Sequence, residues 1–254
     1  MPAPSHFLVV TRLRAAGCVF AEAEARLLVD AARTPAELAL LVERRVAGLP
    51  LEHVLGWAEF HGVRVHVDTG VFVPRRRTEL LAREAVAITR PGAVAVDMCC
   101  GSGAVGAVIA SRVAGVELHA VDIDPAAVRC ARRNVTGAVH EGDLFEPLPY
   151  RLRGRIDLIV ANAPYVPTDA IRLMPLEARV HEPSVALDGG ADGLAVQRRV
   201  IAEAPEWLAP SGRLLVETSE QQAASTVEAF AVARLVPRVV RCGELDATVV
   251  VGSR

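Results

Sequence analysis

"VAVDMCCGSGAVGAVIA", Val94 to Ala110, starts as an apolar strand and ends as an apolar helix, with Asp97 and a glycine turn between them. Glycines at such a turn let a ligand approach the main chain, and the helix start behind it offers unpaired N–H donors. The next apolar run, "VELHAVDI" (116–123), ends in Asp122, which follows Asp97 by 25 positions. That is close to the ~20-residue offset at which a carboxylate meets a ribose diol. Cys99 occupies the position of the first glycine in a G-x-G-x-x-G pattern, and the helix after Gly103 opens without a basic residue. The turn therefore suits a nucleoside without phosphates better than a dinucleotide. S-adenosylmethionine fits, since acidic residues such as Asp97 balance its positive charge.

Further along, "DLIVAN" (157–162) and "GRLLVET" (212–218) are also strand-like, and amphipathic segments at 103–113, 125–135 and 193–207 alternate with the strands. This alternation predicts an α/β fold with a doubly wound, Rossmann-like parallel sheet. The last apolar stretches, "ARLVPRVV" and "DATVVVG", are separated only by "RCGEL", too short for a crossover helix. They are expected to pair antiparallel at a sheet edge. Ahead of the sheet, "FAEAEARLLVDAA" carries an apolar stripe at Ala25, Leu28 and Val29, and "TPAELALLVERRVAG" offers a Thr34 cap followed by Pro35. "GWAEFHGVRVHVDTGVFVP" (56–74) alternates with Val63, Val65 and Val67 on one face, which predicts a β-hairpin turning at "DTG". The expected organisation is a helical domain over 1–52, a hairpin linker over 53–74 and the α/β domain over 75–254.

With 28 basic residues against 30 acidic ones, the chain has a formal charge of −2. That gives no overall field for a polyanion or a membrane surface. Every basic residue besides histidine is arginine, which excludes lysine Schiff-base and P-loop chemistry on this chain. The five cysteines contain no C-x-x-C pair, so no metal site is expected and a reducing cytoplasm fits. No apolar run reaches the ~18 residues of a spanning helix.

Two further motifs lie at strand ends. "HEGDLFEPLP" places Asp143 after the third strand, where it can accept from an adenine amine while Leu144 or Phe145 covers the ring. "VANAPYVPTDA" places Asn162, Ala163, Pro164 and Tyr165 after the fourth. Asn162 offers an amide acceptor and donor, Ala163 and Pro164 offer carbonyls, and Tyr165 offers a flat face. Such a set can grip a planar nitrogen, and ligands of open α/β sheets gather at these strand ends.

Asn-x-Pro-Tyr after the fourth strand resembles the Asn-Pro-Pro-Tyr signature of methyltransferases acting on planar nitrogens. "PLEHVLGWAEFHGVRVHVDTGVFVPRRRTELL", "VDIDPAAVRCARRNV", "GDLFEPL" and "HEPSVALDGGADGLAVQRRVIAEAPEWLAPSGRLLVE" are similar to successive segments of the HemK/PrmC protein glutamine methyltransferases. The resemblance runs from about Gly17 to the C-terminus. It implies a helical substrate domain, a seven-stranded class I methyltransferase domain, and methyl transfer from S-adenosylmethionine to the glutamine of the Gly-Gly-Gln loop of peptide chain release factors.

By matching positions, it implies a cofactor loop of Cys99, Cys100, Gly101, Ser102 and Gly103, with Asp97, Asp122, Asp143, Leu144 and Asn162 around the cofactor. Asn162, Ala163, Pro164 and Tyr165 would hold the acceptor, with Asn162, Pro164 and Tyr165 catalytic. Arg75 is expected to bind substrate, and with a small-molecule acceptor Arg75, Arg76 and Arg77 would hold its carboxylate. The expected partner is a release factor, without membrane or direct nucleic-acid contact, and the expected state is a cytoplasmic monomer.

The chain departs from the family at Cys99 and Cys100, at Arg76 and Arg77 in "VPRRRTE", and at Ala163. A cysteine at 99 predicts a backbone that stays out of the positive-φ region there. The alternative acceptor is a guanidino or amide nitrogen of a small molecule. A non-catalytic cofactor-binding protein is the reading from a different functional class.

Overall fold

The computed structural model describes residues 6–254, so the first five residues of the expected helical domain lie outside it. Four helices come first: α1 (His6–Ala15), α2 (Ala21–Ala31), α3 (Pro35–Val46) and α4 (Leu51–Leu55). They share a core of their own, in which Leu13, Ala21, Ala25, Leu28, Val42 and Val54 are buried together. The α2 stripe runs through Ala21, Ala25 and Leu28, at the i, i+4, i+7 spacing of one helix face. Val29 lies one residue round from that face and is exposed, contrary to the stripe expected from sequence. Thr34 caps α3, its side chain accepting from the Glu37 N–H, a contact worth about 1 kcal/mol.

The hairpin follows as β1 (Trp57–Phe60) and β2 (Val63–His66), paired antiparallel with Phe60 opposite Val63. Its turn is His61–Gly62, both at positive φ, and not the Asp68–Gly70 turn read from the sequence. The two-residue loop matches the twist of the strands, and "DTG" instead bends the chain after β2. Val65 and Val67 are fully buried and Val63 partly so, all facing the sheet core.

Beyond the hairpin come α5 (Glu79–Ile88), β3 (Val94–Met98), α6 (Ala104–Arg112), β4 (Glu117–Asp122), α7 (Pro125–Asn134), β5 (Ala138–Glu141) and β6 (Ile156–Ala161). They are followed by α8 (Leu176–His181), α9 (Ala195–Trp207), β7 (Leu208–Thr218), α10 (Ala223–Val232), β8 (Val236–Cys242) and β9 (Ala247–Ser253). The seven strands are ordered β5-β4-β3-β6-β7-β9-β8. The first five run parallel, and β9 inserts antiparallel between β7 and β8, as the short "RCGEL" connection requires. This is the class I methyltransferase topology.

Every residue of β3 is buried, as expected for a central parallel strand covered on both faces. One face packs on α5, α6 and the hairpin, and the other on α9 and α10. From β3 the chain winds out to β4 and β5, then crosses back to β6. The crevice therefore opens between β3 and β6, outside their carboxyl ends.

Candidate functional site

One cleft spans that crevice and holds about 1370 Å³ of space open to solvent. The tips of β3, β4, β5 and β6 each supply residues to it. Asp97, Cys99, Cys100, Gly101, Ser102, Asp122, Asp143, Leu144, Asn162, Ala163, Pro164, Tyr165 and Arg75 all line it. Gly103 does not, nor does Phe145, the alternative to Leu144.

Gly103 works from behind the loop. It starts α6 at φ 77°, and a Cβ there would come within 2.7 Å of the Val135 side chain. Cys99, at φ 56°, is a correction to the sequence reading: the backbone does enter the left-handed region that favours glycine. Neighbouring bonds hold it there. Cys100 N–H donates to the Val121 carbonyl at 3.0 Å, and Gly101 N–H donates to Asp122 Oδ2 at 2.8 Å. Burial pushes both thiols up, so neither acts as a nucleophile near neutral pH.

Asp122 is bound on both oxygens, since Asp124 N–H donates to Oδ1 at 2.9 Å. It joins the glycine loop to the tip of β4 and still has acceptor lone pairs for a diol. Beside it, Ile123 is 52% exposed on the cleft wall, an apolar face suited to a flat base. Leu144 lines the cleft from across, but Phe145 is buried and stacks on Trp207 at 5.5 Å, so it does not cover a ring in the cleft. One Asp143 oxygen is taken by Arg199 at 2.7 Å.

Asp97 is the buried charge of this half of the cleft. Oδ2 accepts from Gly106 N–H at 2.8 Å, and burial, with the Asp122 charge nearby, raises its pKa to about 7. The unfolded carboxyl titrates near 4. Between pH ~4 and ~7 the folded chain therefore holds more protons than the unfolded one, and this residue makes the free protein less stable as pH rises. A cationic ligand needs the ionised form, so its binding has the opposite slope. S-adenosylmethionine affinity is expected to tighten by up to tenfold per pH unit below about 7 and then level off. Titration calorimetry across pH 5.5–8.5 checks this, with Asp97→Asn flattening the profile.

The other half of the cleft is built around 162–165. Asn162 Nδ2 donates to Thr78 Oγ1 at 3.2 Å, and the Tyr165 hydroxyl donates to Glu217 Oε1 at 3.3 Å. Arg77 stands 5.7 Å from the centre of the Tyr165 ring and 3.6 Å from Glu217. No described residue donates a hydrogen bond to the Ala163 or Pro164 carbonyl, so both remain available acceptors. Arg75 does bind a carboxylate, but it is the chain's own: Glu182, whose side chain is buried, lies 2.6 Å away and also accepts from Val73 N–H. The guanidinium thus anchors the 182–194 segment, which corrects the role expected for it. Arg76 points to exposed Glu244, away from the cleft.

That segment contains "DGGADG" (188–193), which buttresses the tetrapeptide. Gly189 packs under the Pro164 carbonyl and Gly193 under the Tyr165 carbonyl, where Cβ atoms would sit at 2.7 and 2.3 Å. Gln222 Nε2 closes the contact, donating to the carbonyls of Tyr165 and Asp192 at 3.0 Å each. Gly193→Ala adds a clash to a positive φ. It is expected to cost about 2 kcal/mol or more and lower the melting temperature by roughly 5 °C, measured by calorimetry.

Thr78, Glu217 and Gln222 were not singled out as site residues from sequence. Glu217 had a readable signal, a lone acid inside the apolar "GRLLVET", as Asp97 is inside β3. His119 forms a ring pair with His140 at 2.9 Å in the sheet, outside the cleft. No group of metal-ligating side chains occurs among the described residues, and no described helix is long and apolar enough to cross a membrane.

Residues 62–190 match the family model described as "Methyltransferase small domain". The chain is 38% identical over 209 residues to the release factor glutamine methyltransferase of Geobacter sulfurreducens, covering 79% of this chain and 72% of that one. It is 42% identical over 196 residues to the protein of the same name from Mycolicibacterium smegmatis, covering 75% and 69%. It is also 36% identical over 199 residues to the 4-amino-L-phenylalanine/4-methylamino-L-phenylalanine methyltransferase of Streptomyces pristinaespiralis, covering 74% and 68%.

Proposed function

Because this chain belongs to the family of release factor glutamine methyltransferases, we propose that it methylates the glutamine side chain of the Gly-Gly-Gln loop of a peptide chain release factor. S-adenosylmethionine supplies an electrophilic methyl group. The chain's own residues bind, orient and stabilise. Asp122 holds the ribose, Asp97 faces the positive charge, and Ile123 and Leu144 enclose the base.

An amide nitrogen is a poor nucleophile because resonance delocalises its lone pair. Rate must therefore come from alignment and from acceptors placed where positive charge grows on the nitrogen. Asn162 Oδ1 and the Ala163 and Pro164 carbonyls are those acceptors, with Tyr165 as the flat wall. No strong base is needed, and none is offered: burial and the neighbouring Glu217 charge raise the Tyr165 hydroxyl above its ordinary range.

The observation that carries this reading is the placement of Asn162 and its two unpaired neighbouring carbonyls at the tip of β6, in the same cleft as Asp97 and Asp122. The helices of 1–52 are assigned to recognition of the release factor. Arg45 of α3, paired with Glu24, reaches Glu177 of α8 at 3.1 Å and so ties those helices to the segment bordering the acceptor end.

The aminophenylalanine methyltransferase relative favours one second reading, a small-molecule nitrogen as acceptor. Incubating the protein with labelled S-adenosylmethionine and either release factor or a panel of amino-aromatic, guanidino and amide metabolites separates the two. Label on the Gly-Gly-Gln glutamine, located by peptide mass spectrometry, supports the proposal. Label on a metabolite alone overturns it.

A further inference from the structure

Asp143 stands at the nucleoside end of the cleft with its main chain already fixed. Asp122 of β4 pairs in register with Glu141 of β5, so Asp143 follows two residues beyond the partner of the carboxylate placed for the ribose. Gly142 N–H donates to the Asp122 carbonyl at 3.0 Å, and Glu146 N–H donates to the Asp143 carbonyl at 3.1 Å, closing a turn around it. The side chain has no such restraint of its own. A carboxylate 34% exposed at a loop tip samples several rotamers unless a partner holds it.

Arg199 is that partner. Its Nη2 donates to Asp143 Oδ2 at 2.7 Å, the short distance of a charge-assisted bond, and both residues line the cleft. Arg199 comes from α9, 56 residues further along the chain, and shares a helix face with Val196, which lines the same cleft one turn earlier. Glu146 and Glu203 also lie near the guanidinium, but among the described residues its ion pair is with Asp143. Oδ1 of Asp143 accepts from no described residue. One oxygen is therefore bound and the other is open, with lone pairs for an N–H group of a ligand.

We propose that Arg199 is a positioning residue that gives the cleft its preference for adenine: by occupying Oδ2 it fixes the Asp143 carboxylate with Oδ1 turned to the exocyclic amine of the cofactor. This rests on S-adenosylmethionine as cofactor and on Asp143 as the group that meets its base. It is independent of the methyl acceptor.

S-adenosylhomocysteine and its analogue with hydrogen in place of the exocyclic amine differ in that one donor, so the ratio of their Kd values isolates the contact. Titration calorimetry measures both. Wild type is expected to prefer the amine by about 20-fold, the scale of a hydrogen bond to a charged group. Asp143→Ala should bring the ratio to within about twofold of one. Arg199→Ala should lower the ratio about fourfold, the upper range for an ion pair open to water. It should do so by weakening the amine-bearing ligand, while the Kd of the analogue stays within about twofold. In the Asp143→Ala background, Arg199→Ala should change the ratio no further.

A merely structural role for Arg199 would shift both ligands together and leave the ratio alone. Its side chain is 51% exposed, so the variant empties no core. A ratio in Arg199→Ala at the wild-type value overturns the proposal, and so does a higher one, which would show the ion pair competing with the base. Selectivity lost in Asp143→Ala but kept in Arg199→Ala removes Arg199 alone. Selectivity kept in Asp143→Ala places the reading of the base elsewhere, and the proposal falls with it. Failure to methylate release factor touches none of these ratios and counts against the function instead.

Discussion

Asn162→Ala is expected to lower kcat on release factor by about 10³-fold while changing S-adenosylmethionine affinity by less than about threefold. The side chain is placed to interact with charge that develops during methyl transfer. Its removal is therefore felt in the transition state and barely in the ground state, the pattern in which kcat and kcat/KM fall together. A fall of 10³ corresponds to about 4 kcal/mol, the upper end for a single preorganised contact. Two features of this site place it there. The neighbouring Pro164 carbonyl cannot rotate to compensate, because Gly189 packs against it, and alanine leaves Thr78 with an orphaned contact. Single-turnover kinetics with saturating cofactor separates chemistry from product release. Unchanged single-turnover rates would remove Asn162 from the mechanism.

The strand tips were legible because each is written locally. An apolar run ends in one polar residue, and period and composition report it without knowledge of the rest of the chain. Asp122 and Asn162 were found this way, Asp97 as a lone acid inside such a run and Asp143 from the turn after the third strand, and the sheet that collects them follows from the alternation of strands with amphipathic segments. What stayed hidden depends on partners distant in sequence. Arg75 is a free cation on paper, and only the fold brings Glu182, 107 residues later, against it. Thr78 lies 84 positions before Asn162, and nothing in "VPRRRTE" announces that its hydroxyl will meet the tetrapeptide.

The hairpin turn was misplaced for the opposite reason. "DTG" has the stronger turn composition, but pairing of Phe60 with Val63 leaves His61–Gly62 as the two-residue loop. At Cys99 the residue type argued against the conformation that its neighbours impose.

Asp122→Ala is expected to weaken S-adenosylmethionine binding by about 10²- to 10³-fold, or about 3–4 kcal/mol. Two losses combine. The carboxylate is the group placed for the ribose diol, and a charge-assisted contact of this kind is worth about 1.5–3 kcal/mol. It also receives the N–H groups of Gly101 and Asp124, so its removal frees the glycine loop that must lie against the ligand. Cys99 is held at positive φ by this same set of bonds. With the Gly101 bond gone, the strained residue can relax towards negative φ and draw the loop out of shape.

Asp122→Asn separates the two contributions. It keeps an oxygen for one of the two backbone donors but loses the charge, and its NH2 meets the other donor face to face. Its affinity should therefore fall closer to that of alanine than to wild type. Titration calorimetry at pH 8, where Asp97 is ionised, measures all three without interference from that titration. Binding within threefold of wild type in Asp122→Ala would move the nucleoside away from the tip of β4.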